Sequence, residues 1–343
     1  MKLLAYTDVH MCSRASIVNR WGVKYPIRLE NCVASVNWAE RLAEREHCDL
    51  IINLGDFYDR PDLNSETITA STEIIWADIP HYHLVGNHDA SNSTLEFNSV
   101  NSFISENHKI ITEPQMLSFD TFELCLLPYT VESDRRPIQS YFNQDTTKKQ
   151  IILSHNDING IQLGPVVSKT GFTVEEIESC CDIFINGHLH NGQAITSKLI
   201  NLGNLTGKDF GEDASKYGHK VAILDTDSMT ITYVENPFAL NFYKLQIESE
   251  KDLKKLKKLK TNAVISIKCP KTLVDKVKDL ISQSDSIIES RVIVINTADE
   301  TIPQDERSLD LSAIDHLARF VECCKATIDN TKILDEELSE VCK

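Results

Sequence analysis

Five short polar motifs carry the residues of this 343-residue chain that could do chemistry. They are Asp8-Val9-His10, Gly55-Asp56, Gly86-Asn87-His88-Asp89, Ser154-His155 and Gly187-His188-Leu189-His190. Together they hold three Asp, one Asn and five His. Hard oxygen and imidazole nitrogen without sulfur suit Mn, Mg, Fe or Zn. The set is large enough for two ions. Singly, each motif has an ordinary reading. Asp-x-His arises by chance, Gly-Asp after a strand is a common turn, and Gly-His-x-His also fits a surface pair. Their joint occurrence, each directly after an apolar run, is what points to a metal centre.

The runs that must position them are 3–6, 50–54, 83–85, 151–153 and 183–185. Short apolar runs bounded by Gly and Asp read as buried strands. Ligands of such sheets collect outside the carboxyl ends of the strands. One sheet is therefore expected to bring all nine side chains to a single edge. Between the runs, apolar residues three or four apart predict helices over 28–47, 65–77 and 93–106. The last carries Leu95, Val100, Phe103 and Ile104, a stripe that fits packing against the sheet. Segments 116–128 and 194–236 read as antiparallel strands. Strands alternating with helices over residues 1 to about 240 predict an α/β class.

The motif set resembles the calcineurin-like metallophosphoesterase superfamily. The opening Lys2-Leu3-Leu4-Ala5-Tyr6-Thr7-Asp8-Val9-His10 and the run Gly55-Asp56-Phe57-Tyr58-Asp59 look most like its SbcD branch, the Mre-type DNA repair nuclease subunits, with a viral member possible. The resemblance is strong over residues 1 to about 235 and rests on layout beyond. It implies a four-layer α/β/β/α sandwich with a small α+β capping domain and C-terminal helices. It also implies two divalent ions, Mn²⁺ preferred and Mg²⁺ possible. Asp8, His10 and His190 would complete one site, and Asn87, His155 and His188 the other. Asp56 would bridge, offering one oxygen to each ion. Two ions roughly 3.5–4 Å apart clamp a phosphodiester and activate water for in-line attack. His88 would face the phosphate and protonate the leaving oxygen or stabilise charge. Asp89 would tune His88, as carboxylates do for imidazoles; an N-cap role for Asp89 is the alternative. Asp59 stands where some relatives carry a second DNA-orienting His, a departure closer to the bacterial-type pattern. For segment 93–106 the resemblance implies dimerisation.

A second unit is expected from 237 to 296, following a nuclease domain over 1–236. Strands at 242–247, 263–268 and 286–295 alternate with helices at 251–260 and 272–283. Lys254, Lys255, Lys257 and Lys258 make the first helix a candidate DNA contact, although Lys-Leu-Lys-Lys patterns also form plain solvated faces. Residues 297–308, around Pro303, read as a linker. In 309–343, Leu311, Ile314, Leu317 and Val321 recur at helical spacing, followed by Leu334, Leu338 and Val341. A short amphipathic tail tends to dock in a partner's groove, or folds back on its own domain. By resemblance the partner is an SMC-like coiled-coil ATPase of the SbcC type, in a heterotetramer built on a homodimer of this chain.

Composition agrees with a globular enzyme. Hydrophobic residues make up 41% and charged residues 25%, both ordinary. No run of 18 apolar residues occurs, so no membrane span is expected. The chain enters a strand at once, leaving no room for a signal peptide. Ten cysteines without a C-x-x-C pair fit free thiols in a reducing compartment. A cytoplasmic location follows, in the host if the source is viral. The net charge of −16 has the wrong sign for a generic DNA binder. Residues 250–279 reverse it locally, with ten Lys against four acidic residues. DNA affinity would thus come from one small basic lobe or from a partner. The alternative function is another two-metal phosphoesterase, a protein phosphatase or a cyclic-nucleotide phosphodiesterase. A scaffold that kept only the fold is disfavoured, because every ligand position is filled.

Overall fold

The computed structural model describes residues 1–13, 18, 20–141, 147–163 and 166–295. The chain divides into two units, 1–295 and 296–343. The linker, the tail and its candidate partner residues Leu311, Ile314, Leu317 and Val321 lie outside the described residues.

Two six-stranded sheets carry the motifs, where the residue pattern alone suggests one. In the first, Lys2–Tyr6, Leu50–Asn53, His81–Leu84 and His108–Ile111 run parallel in that order. Lys220–Asp225 and Thr230–Glu235 extend it antiparallel past Lys2–Tyr6. In the second, Lys149–Ser154 lies parallel between Phe122–Leu127 and Ile183–Asn186. Leu199–Asn201 pairs parallel with Ile183–Asn186. The antiparallel edges are Gln115–Ser118 and Gln193–Ala194. Five hydrophobic runs cannot reveal this division, because the strands they form are buried on both faces.

Side-chain alternation sets the layers. Leu3 and Ala5 pack with Ile52, Leu84, Leu124, Leu126, Leu153 and Ile185 in one core fed by both sheets. Leu4, Tyr6 and Ile51 point the other way, onto Leu29, Cys32, Val36, Ala39 and Leu42 of helix Ile27–Arg45. On the far face of the second sheet, Cys125, Leu127, Ile152 and Phe184 cover Ile177 of helix Val174–Cys180. The result is the four-layer α/β/β/α arrangement.

Two expected helices are shorter. The segment 65–77 is helical only over Ser65–Ser71. The Thr69, Ser71 and Thr72 hydroxyls donate to the carbonyls of Ser65, Ile68 and Thr69, competition that weakens a helix. The segment 93–106 keeps one 3₁₀ turn, Ser99–Phe103. Leu95 has φ of 59°, and the Asn98 side chain accepts from Asn101 N. Leu95 and Val100 are buried, Phe103 packs against the same core, and Ile104 is exposed.

Strands Asn241–Gln246, Ala263–Pro270 and Ile287–Ile295 form a separate three-stranded parallel sheet. Its connections are the 3₁₀ helix Glu250–Lys258 and the helix Val274–Ser282. Tyr243, Leu256, Ile265, Ile267 and Val277 share one core. Burying Leu256 leaves Lys254, Lys255, Lys257 and Lys258 exposed. Lys255 is the engaged one, pairing with Asp252 at 2.9 Å and donating to Gln246 O. Among the described residues no helix is long and apolar enough to cross a membrane, and seven cysteines are free thiols.

Candidate metal centre

All five motifs begin at the carboxyl ends of parallel strands, three from the first sheet and two from the second. The chain must turn sharply there. Asp8, His10, Asp56 and His188 all take φ between 46° and 70°, a region costly for residues with a side chain. Strain of this kind persists where the surrounding structure over-determines it, and here it falls on four of the ligand candidates. Gly55 (φ of 118°) and Gly86 are required for space: a Cβ on the first would strike the His155 ring, and on the second the Asp56 backbone and carboxylate.

The carboxylates are each half committed. Asp8 Oδ2 accepts from Thr7 Oγ1 (2.6 Å) and His188 N (2.9 Å). Its Oδ1 is buried without a hydrogen-bond partner, facing the Nε2 atoms of His10 (3.6 Å) and His190 (3.8 Å). Asp56 Oδ1 accepts from His88 N at 2.8 Å. Its Oδ2 lies 3.7 Å from His10 Nε2 and 3.3 Å from His155 Nε2. So a single oxygen of Asp56 faces both sides, rather than one oxygen serving each.

Three overlapping potential ligand sets result: Asp8 with His10 and His190, His10 with Asp56 and His88, and Asp56 with His155 and His188. His10 Nε2 and His190 Nε2 approach to 3.0 Å, and His155 Nε2 has no hydrogen-bond partner. Convergent imidazole nitrogens and an orphaned carboxylate oxygen, buried at Asp8, His10, Asp56 and His155 and half-buried at His188 and His190, are what a cation satisfies. The donor set therefore fits two divalent ions. Asn87 joins the last of these sets through Oδ1, 2.9 Å from His188 Nδ1.

Several functional neighbours lie outside the five polar motifs. Glu212 Oε1 faces His190 Nδ1 at 3.2 Å and accepts from Asn204 Nδ2 at 2.7 Å. Asp59 Oδ1 faces His10 Nδ1 at 3.2 Å. Both carboxylates orient Nε2 of their imidazole inward. Asp157 lies 3.3 Å from His188 Nε2. Only Asp59 and Asp157, close in sequence to motif residues, are within reach of sequence reasoning.

Asp89 requires a correction. It neither touches the His88 ring nor caps a helix. Its carboxylate is buried and accepts from Tyr58 N (2.9 Å), Gly86 N (3.1 Å) and Phe57 N (3.3 Å), tying two ligand loops together. Burial, with the Asp56 charge, pushes it up to about 7. The His88 ring is held instead by the Asp59 carbonyl, 2.9 Å from Nδ1. Burial lowers His88 below the ordinary histidine range, against the pull of Asp56. The neutral ring donates Nδ1–H to that carbonyl and keeps the Nε2 lone pair.

Burial alone would also lower His155, but the Asp56 carboxylate outweighs it and lifts the imidazole to about 9. Its charge and that of His10 in turn hold Asp56 well below the carboxylate range, against burial. In the metal-free protein the His155–Asp56 attraction is fully present below the unfolded-state value near 6.5. It is lost as pH rises through about 9. Metal must displace that proton. Apparent Mn²⁺ affinity is therefore expected to rise from pH 7 to about 9, with about one proton released per chain from His155 at pH 7. Calorimetric titration in buffers of different ionisation enthalpy measures both quantities; pH-independent affinity and no proton release would refute the assignment.

Residues 1–192 match the family model described as calcineurin-like phosphoesterase. Among solved structures, the chain is similar to a dimetal phosphatase from Danio rerio, at 15% identity and a TM-score of 0.39, over 65% of this chain and 91% of that one. It is also similar to the calcineurin-like phosphoesterase YfkN from Bacillus subtilis, at 10% identity and a TM-score of 0.37, over 68% and 88%. No curated protein matches.

Proposed function

Because the chain belongs to the calcineurin-like phosphoesterase family, it is a metal-dependent hydrolase of phosphoester bonds, and we propose that its substrate is DNA. In this reading it is an SbcD/Mre-type nuclease subunit, a double-strand exonuclease and single-strand or hairpin endonuclease. It acts in DNA end processing, recombination and repair with an SMC-like coiled-coil ATPase. The observation that carries the reading is the Lys-rich lobe that follows the sandwich within the same compact unit. Its exposed Lys254, Lys257 and Lys258 suit the phosphate backbone of a nucleic acid.

When bound, two divalent ions would supply Lewis acidity to the phosphoester and to water. Mn²⁺ is the preferred pair, because Mg²⁺ tolerates imidazole poorly. The chain's own residues do the rest. Asp8, His10 and His190 would hold one ion and Asn87, His155 and His188 the other, with Asp56 Oδ2 3.7 Å from His10 Nε2 and 3.3 Å from His155 Nε2. Asp59 and Glu212 fix the His10 and His190 rings. His88, neutral at rest with its proton on Nδ1, presents the Nε2 lone pair to take a proton from the attacking water and then give it to the leaving oxygen. Lys254, Lys257 and Lys258 bind DNA phosphates away from the chemistry.

Reversing those three lysines to Glu tests the substrate. Each lysine–phosphate ion pair removed lowers the slope of log affinity against log salt by roughly 0.9 for duplex DNA. Duplex DNA binding and cleavage are expected to fall about tenfold or more at moderate salt. Hydrolysis of bis-p-nitrophenyl phosphate should stay unchanged. Equal loss on both substrates, or none on DNA, would contradict the proposed role of the lobe.

A further inference from the structure

Lys208 brings an ammonium group to the metal-ligand cluster, and the mechanism leaves it without a task. Its Nζ lies 2.7 Å from Asp59 Oδ1 and 3.2 Å from His10 Nδ1. Its backbone is fixed, since Lys208 N donates to both oxygens of Glu212 (3.2 and 3.1 Å). Glu212 is also the carboxylate behind His190. The side chain is about a quarter exposed, so it borders both the buried ligands and solvent.

The hydrogen bond that Lys208 can give His10 Nδ1 is lost when His10 acts as a ligand through Nε2. Its Nε2 faces His190, Asp8 and Asp56. Coordination through Nε2 puts the ring proton on Nδ1. That N–H donates to Asp59 Oδ1, the oxygen already in reach. An ammonium at 3.2 Å from Nδ1 then meets a donor with a donor. The ammonium keeps its ion pair with Asp59 Oδ1, and its N–H groups are left for another acceptor.

We infer that Lys208 is the residue that binds the substrate phosphate: pivoting on Asp59, it contacts a non-bridging oxygen of the phosphate being cleaved. This rests on the phosphoester reading of the site and adds a substrate-binding residue to it. Asp59 is the matching positioning residue, holding the His10 ring, the Lys208 ammonium and, through its carbonyl, the His88 ring.

The test uses Mn²⁺-loaded full-length protein with Lys208→Met and Lys208→Arg. Three quantities are read: metal content by mass spectrometry, inorganic phosphate binding by calorimetry, and steady-state hydrolysis of bis-p-nitrophenyl phosphate. A charged hydrogen bond to an anion is strong. Lys208→Met should weaken phosphate binding and raise KM by about tenfold or more, with kcat changing less and metal content the same. Lys208→Arg should recover most of the phosphate affinity. Unchanged phosphate affinity and KM in Lys208→Met would overturn the inference. So would loss of metal in that variant, which would make Lys208 an organiser of His10 only. A wild type that fails to hydrolyse the diester would instead bring down the phosphoester reading, and this inference with it. A wild type that hydrolyses it while the Lys208 comparison is flat leaves that reading standing.

Discussion

Asp56→Asn is expected to abolish activity on every phosphoester substrate and to cost the protein metal. Asp56 Oδ2 lies 3.7 Å from His10 and 3.3 Å from His155. The amide removes the negative charge and places a neutral group between two cations. Metal-ion catalysis supplies several kcal/mol of transition-state stabilisation. At about 1.4 kcal/mol per factor of ten, its loss amounts to about a thousandfold or more in rate. The variant should fold, because Asn can keep Oδ1 as the acceptor for His88 N. Metal content by mass spectrometry and turnover on bis-p-nitrophenyl phosphate decide the point. Two bound ions and a rate within about tenfold of wild type would remove Asp56 from the centre of the site.

His88→Ala should separate chemistry from metal binding. The part of His88 that supports the metal ligands is its backbone amide, which donates to Asp56 and survives the substitution. The deleted imidazole stands edge-on to His10, with ring centroids 4.7 Å apart, and is oriented by the Asp59 carbonyl. A positioned proton-transfer group contributes typically about 10²–10⁴-fold. Turnover is expected to drop by that range with metal content and DNA affinity kept, the pattern of an interaction made in the transition state. Single-turnover cleavage at saturating enzyme measures it. A near wild-type rate would show that the ring takes no part in proton transfer.

The metal centre is legible in the sequence because its residues end strands. Each apolar run marks a buried strand, and each polar motif marks the turn at its end. Asp8, His10, Asp56, Asn87, His155, His188 and His190 are brought together as a result. What the pattern cannot reveal is which strands share a sheet. Leu3 faces the second sheet and Leu4 faces a helix, yet both are simply apolar in sequence. The same limit hides the job of Asp89. A carboxylate beside a histidine reads as its partner, whereas the backbone turns the Asp89 side chain to the amides of Phe57, Tyr58 and Gly86. Glu212 and Lys208 are illegible for another reason. They sit on a loop without hydrophobic periodicity, and only the paired sheets bring that loop to His190 and His10. In segment 93–106 the apolar spacing favours a helix, but Asn and Ser side chains satisfy the backbone locally and win.

We propose a two-metal phosphoesterase that acts on DNA. Its most direct test is degradation of linear duplex DNA by metal-stripped protein, with Mn²⁺ restored in steps and a phosphopeptide and a cyclic nucleotide run beside it. No cleavage is expected in chelator, with DNA hydrolysis returning as two ions bind per chain and little turnover of the other two substrates. DNA cleavage at full rate without a divalent ion would contradict the metal centre. Efficient hydrolysis of the phosphopeptide or cyclic nucleotide with DNA left intact would contradict the nuclease.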